Sequence, residues 1–157
     1  MPDNIDLPPE SFDVVLLTDV LEHVEDDVRS AAVALRLLRK GGIVVATVPA
    51  NPWLFCDYDL RLHHFRRYNK RGFRDLWHAD CAETLLISHF NTLLFLPAAA
   101  VRFAGRFMPQ RDAILDMEVP AHSINRLLEP IMKSESALIG RAPLPCGLSL
   151  VAVVRKR

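Results

Sequence analysis

The chain has 157 residues, half of them apolar and 24% charged, which is the make-up of a folded globular domain and not of a disordered or collagen-like chain. Its 19 Lys and Arg balance 19 Asp and Glu, so no global field draws it to nucleic acid or to an anionic membrane. Cys56, Cys81 and Cys146 are far apart and form no CxxC pair. That excludes a disulfide framework or structural zinc cluster and fits a reducing, cytoplasmic compartment.

The segment Met1–Glu10 is polar and proline-rich and has no secretory-signal pattern. Phe12–Leu17 (FDVVLL) is a near-continuous apolar run, the pattern of a strand buried on both faces of a parallel sheet. Glu25–Lys40 follows as an amphipathic helix, with Val28, Ala32, Leu35 and Leu38 at helical spacing. Acidic residues open it and basic ones close it, matching the macrodipole, and Gly41-Gly42 is the expected stop. Ile43–Val48 (IVVATV) is a second buried strand, ended by Pro49. Strand, helix and strand in so short a span predict one right-handed βαβ unit with parallel strands.

Asn51–Asn69 has no clean period and is rich in aromatics and histidine. Lys70–Ala79 is expected as a short helix with Phe73, Leu76 and Trp77 on one face, and Thr84–Phe90 as a third strand. Leu93–Met108 and Ile124–Leu138 are expected helices containing Pro97 and Pro130, so residues 93–140 form a helical insertion before a last strand at Leu148–Val154. Arg102 and Arg106 on the otherwise apolar first helix suit either a core helix or one lying on a membrane or a lipid-like acceptor. No stretch is a membrane span. Alternating strands and helices make the chain one α/β domain over residues 1–157.

The ordered set Ser11–Asp27 (SFDVVLLTDVLEHVEDD), Leu38–Ala50 (LRKGGIVVATVPA) and His63–Leu76 (HHFRRYNKRGFRDL) resembles class I S-adenosylmethionine (SAM)-dependent methyltransferases of type 11/12. HFNTLLFLP and PLPCGLSLVAVVRK continue the likeness. The resemblance implies a Rossmann-like sheet in which the four strands stand for the fourth to seventh of seven, flanked by helices. The part that carries the cofactor-holding GxGxG turn would precede residue 1. The chain has no such turn, and Gly41-Gly42 follows a helix, so it cannot substitute. The expectation is therefore a truncated, acceptor-side half that uses SAM only when completed by a cofactor-binding half. The alternative is a non-catalytic dimerising or partner-binding module.

Methyl transfer from a sulfonium needs an aligned acceptor and often a base to take its proton. Thr18, Asp19 and Glu22 follow the first strand, where ligands bind in open α/β sheets, and the resemblance puts them at the methionine end of SAM. Helix capping by Asp19 or Glu22 is the plainer role. His64, His23 and Tyr68 are the candidate catalytic groups. Arg66 and Arg67 suit an anionic acceptor, or else a solvated basic loop anchored by Tyr68. Asn51, Trp53 and Asn91 are candidate acceptor contacts. Asp19, Glu22, His23 and His63 lack recognisable ligand spacing, so no metal is expected. The RLHHFRRYNKR patch alone does not make a nucleic-acid surface. An unpaired hydrophobic edge at residues 12–17 would drive two copies together, predicting a homodimer.

Overall fold

The computed structural model describes residues 7–77, 80–105, 122–136, 138–139, 141 and 143–157. Strand β1 (Phe12–Thr18) leads through a 3-10 turn at Leu21–His23 into helix α1 (Asp27–Leu37) and strand β2 (Leu38–Pro49). A second 3-10 turn (Pro52–Leu54) and helices α2 (Asp57–Arg61) and α3 (Lys70–Asp75) precede β3 (Ala82–Phe90). Helices α4 (Phe95–Gly105) and α5 (His122–Ser136) lie before β4 (Ser149–Lys156).

The four strands form one sheet in the order β1-β2-β4-β3. β1 and β2 are parallel, and β4 runs antiparallel to both β2 and β3. The carboxyl ends of β1, β2 and β3 therefore share one edge of the fold. This is the expected α/β class, with a mixed sheet flanked by helices. Asp26 caps α1, accepting from the Arg29 amide at 2.9 Å, which is why the helix starts there.

α1 and α3 cover one face of the sheet. Ala31, Ala34, Leu35, Phe73 and Trp77 pack there on Val44, Ala46, Val48, Ile87, Leu150, Ala152 and Val154. Val15 and Leu17 join that core, but Val14 and Leu16 on the opposite face of β1 are 53% and 64% exposed. This corrects the expectation of a strand buried on both faces. Among the described residues β1 is an edge strand, paired only to β2, with core packing on only one of its faces.

Gly41-Gly42 also differs from expectation. α1 ends at Leu37, and the pair lies inside β2. There the register jumps, with Phe12 opposite Leu38 and Val14 opposite Ile43. Gly41 has φ +82°, and a Cβ on Gly42 would come within 3.0 Å of the Asp13 and Arg39 carbonyl oxygens. The glycines thus serve a bulge, where positive φ and close backbone approach are needed. The segment read as patternless contains the short α2. Its Asp59 carboxylate accepts from the Cys56 amide at 3.0 Å, closing the first turn. Pro97 sits in the first turn of α4, where a missing N–H is harmless. Residues 106–121 of the expected insertion lie outside the described residues. Among the described residues, no helix is long and apolar enough to cross a membrane.

Candidate functional site

Three non-glycine residues with left-handed backbone follow the three parallel strands. Asp19 (φ 52°) follows β1, Asn51 (φ 64°) follows β2 and Asn91 (φ 58°) follows β3. Asp and Asn tolerate this conformation best among residues with a Cβ. Local strain of this kind, repeated at the carboxyl edge of an α/β sheet, marks the edge where such folds bind ligands. The Asp19 amide donates to the Thr47 carbonyl and hydroxyl at 3.0 and 3.1 Å, which fixes the turn onto β2.

The His63–Asn69 loop is stitched across that edge by its backbone. The Tyr68 amide donates to Pro49 O at 2.9 Å, and its carbonyl accepts from the Asn51 amide at 2.9 Å. The Phe65 amide donates to Glu22 O at 2.8 Å. Tyr68 is buried, with its hydroxyl 2.7 Å from Asp27 Oδ2 and 3.1 Å from Leu21 O. Burial, with the Asp27 carboxylate adding, holds that phenol well above its ordinary range. Tyr68 thereby locks the loop to the first turn of α1. These bonds bring His64 beside His23, with ring centroids 4.6 Å apart and planes at 79°.

Asp59 organises the cluster from beneath. It is fully buried and accepts from Arg67 Nε at 2.8 Å, with Arg67 Nη2 also at 2.8 Å. His64 Nδ1 lies 3.2 Å from its Oδ1, and Arg102 Nη1 from α4 lies 3.4 Å from its Oδ2. Burial alone would raise the Asp59 pKa, but the Arg67 bond and charge outweigh it and hold the carboxyl below the usual range. Burial lowers the His64 pKa against partial opposition from Asp59, so the imidazole is biased to its neutral form. With Asp59 ionised, His64 Nδ1 carries the proton and Nε2 keeps its lone pair.

Glu22 is 1% exposed, and its Oε2 is buried with no hydrogen-bond partner among the described residues. Burial, with the nearby Asp19 charge adding, pushes its carboxyl up to about 7, against its own backbone hydrogen bond and Arg67. Glu22, His23 and His64 offer donor atoms that all lie within 4.8 Å of one another.

The other predicted residues divide. Thr18, Asp19 and Trp53 are exposed at this edge. Asn51 Nδ2 donates to Gly147 O at 2.8 Å, and Asn91 is half-buried beyond β3. Trp53 meets Phe95 of α4 edge-on at 6.3 Å. Arg66 and Arg67, expected to meet an anionic acceptor, are engaged inside the protein. Arg66 pairs with Asp27 at 2.9 Å and donates to Glu25 O at 2.6 Å. Arg67 adds a bond to Ala50 O at 3.1 Å. Asp59 and Arg102 were not among the predicted residues. Asp59 lies a few residues before His64 and Arg67, in a segment that shows no helical period, so the sequence gives no signal for it. A shallow cleft at the opposite end of the sheet, lined by Ala32, Leu35, Arg36, Cys81 and Lys156, holds none of the predicted residues.

Comparison with known proteins bears on the fold. The sequence profile described as "Methyltransferase domain" matches residues 2–46. No curated protein matches the chain by sequence. Among solved structures, a candidate methyltransferase from Bacillus halodurans has a TM-score of 0.55 at 15% identity, over 99% of this chain and 74% of its own. A SAM-dependent methyltransferase from Thermotoga maritima has a TM-score of 0.55 at 16% identity, over 100% of this chain and 62% of its own. The cyclase SpnF has a TM-score of 0.52 at 18% identity, over 99% of this chain and 54% of its own. The chain thus spans about three quarters of the first and less than two thirds of the other two. The chain carries the fold of solved methyltransferases, and SpnF illustrates that this fold also serves other chemistry.

Proposed function

We propose that this chain is the acceptor-side half of a SAM-dependent methyltransferase, transferring a methyl group once a cofactor-binding half completes the site. The observation that carries this reading is the Glu22, His23 and His64 cluster at the carboxyl edge of the sheet, above a buried Asp59–Arg67 pair. The matched profile over residues 2–46 and the shared fold support it. Thr18, Asp19 and Glu22 face the methionine end of SAM. His64, oriented by Asp59, takes a proton from the acceptor through Nε2, with His23 alongside. Trp53, Asn51 and Asn91 border the acceptor, which is a small or lipid-like molecule. Tyr68, Arg66 and Arg67 hold these groups in place. Three unpaired cysteines fit a reducing, cytoplasmic setting.

Amide NMR shifts on adding about 1 mM SAM (an affinity near −4 kcal/mol) test the assignment. Weak shifts confined to residues 18–23, at the methionine end, are expected. Shifts confined to the Arg36, Cys81 and Lys156 end would sink it.

A second reading is supported by the bare β1 edge. Val14 and Leu16 are exposed on a strand whose outer edge has no strand partner among the described residues, which suits a dimerising or partner-binding module.

A further inference from the structure

We propose that Glu22, His23 and His64 bind a divalent late first-row transition cation of the zinc class. The inference rests on the geometry of these donors and stands whether or not the methyl-transfer reading does. Two segments distant in sequence supply the donors, the 3-10 turn after β1 and the loop before α3, and their atoms lie within 4.8 Å of one another. In a tetrahedral zinc site with bonds of roughly 2.0–2.1 Å, ligand atoms stand about 3.3 Å apart. Closing the set therefore needs side-chain movements of about an ångström.

Two further observations point to a cation. Glu22 Oε2 is buried and has no hydrogen-bond partner among the described residues, an arrangement that a metal ion would satisfy. His64 Nδ1 is held by the ionised Asp59 at 3.2 Å, which leaves Nε2 as the ring nitrogen available to a cation. A carboxylate behind a histidine is the usual support of a metal-bound imidazole. Asp59 faces both Arg67 at 2.8 Å and Arg102 at 3.4 Å and offsets one of their two charges, and Glu22 adds a negative charge when it gives up its proton to a cation. One carboxylate and two imidazoles favour zinc-class ions over magnesium or calcium, which prefer all-oxygen sets. Three protein ligands leave a coordination position open, as in sites where the ion activates a bound water or hydroxyl. A cation held through His64 Nε2 would occupy the lone pair that proton uptake by His64 needs, so ion binding and the base role of His64 exclude each other.

The test is cobalt(II) titration of the chelator-treated full chain, followed by visible absorption and calorimetry, with no SAM or acceptor added. One ion per chain is expected. Glu22→Gln, His64→Gln and His23→Gln should each weaken it at least about tenfold, while His63→Gln, Cys56→Ser and Cys81→Ser leave it unchanged. His23 is exposed, so His23→Gln decides the matter even if the two less exposed variants fail to fold. Absence of saturable binding up to about 1 mM cobalt overturns the proposal, as does binding that survives His23→Gln.

Discussion

Arg67 reaches a single oxygen of Asp59, Oδ1, with both its Nε and its Nη2 at 2.8 Å, and both side chains are buried. The same oxygen accepts from His64, and the partner oxygen from the Cys56 amide. One carboxylate thus sets the start of α2, the path of the His63–Asn69 loop and the tautomer of the imidazole above it.

Asp59→Ala is expected to lower stability by about 3–5 kcal/mol, because removing one partner leaves the Arg67 guanidinium buried and unpaired. Urea unfolding followed by circular dichroism measures this. A loss below about 1 kcal/mol would mean that the guanidinium finds water or another acceptor at little cost.

Glu22 predicts a pH dependence with a definite sign. Its carboxyl is pushed up to about 7 in the folded chain, from an ordinary value of 4.5. Between those values the folded state keeps a proton that the unfolded state has lost, so stability falls as pH rises through the window. The contribution is fully present below about 4.5 and lost above about 7. Glu22→Gln should therefore gain on the parent chain as pH rises, by at most about 3 kcal/mol. Unfolding midpoints of both proteins across that range, with chelator present, check it. A gap that stays constant with pH would show that Glu22 titrates normally.

The strand content, parallel β1–β2 pairing and order of elements were legible because hydrophobic runs and turn residues are local signals. Burial of β1 was misjudged because a run such as FDVVLL reports apolar side chains on both faces, not what covers them. Gly41-Gly42 was read as a helix stop because glycine marks any positive-φ site, whether cap or bulge. The two segments of the cluster, Leu21–His23 and His63–Asn69, were each picked out. What joins them is Asp59, Tyr68 and backbone bonds between distant segments, which no sequence period records. For the same reason Arg66 and Arg67 read as open cations, although their carboxylate partners Asp27 and Asp59 lie dozens of residues away or in an apparently featureless stretch.

The open edge of β1 makes self-association measurable. Light scattering at tens of micromolar is expected to give the mass of a dimer, and Leu16→Lys or Val14→Lys to give the monomer. A monomeric parent chain would remove pairing through residues 12–17.

The central claim is that this chain supplies the acceptor side of a methyl-transfer site and not the cofactor cradle. Calorimetric titration of SAM into the 157-residue chain tests it most directly. The account predicts no saturable binding tighter than about 1 mM. One-to-one binding with a dissociation constant near 1 μM, about 8 kcal/mol of affinity, would contradict it.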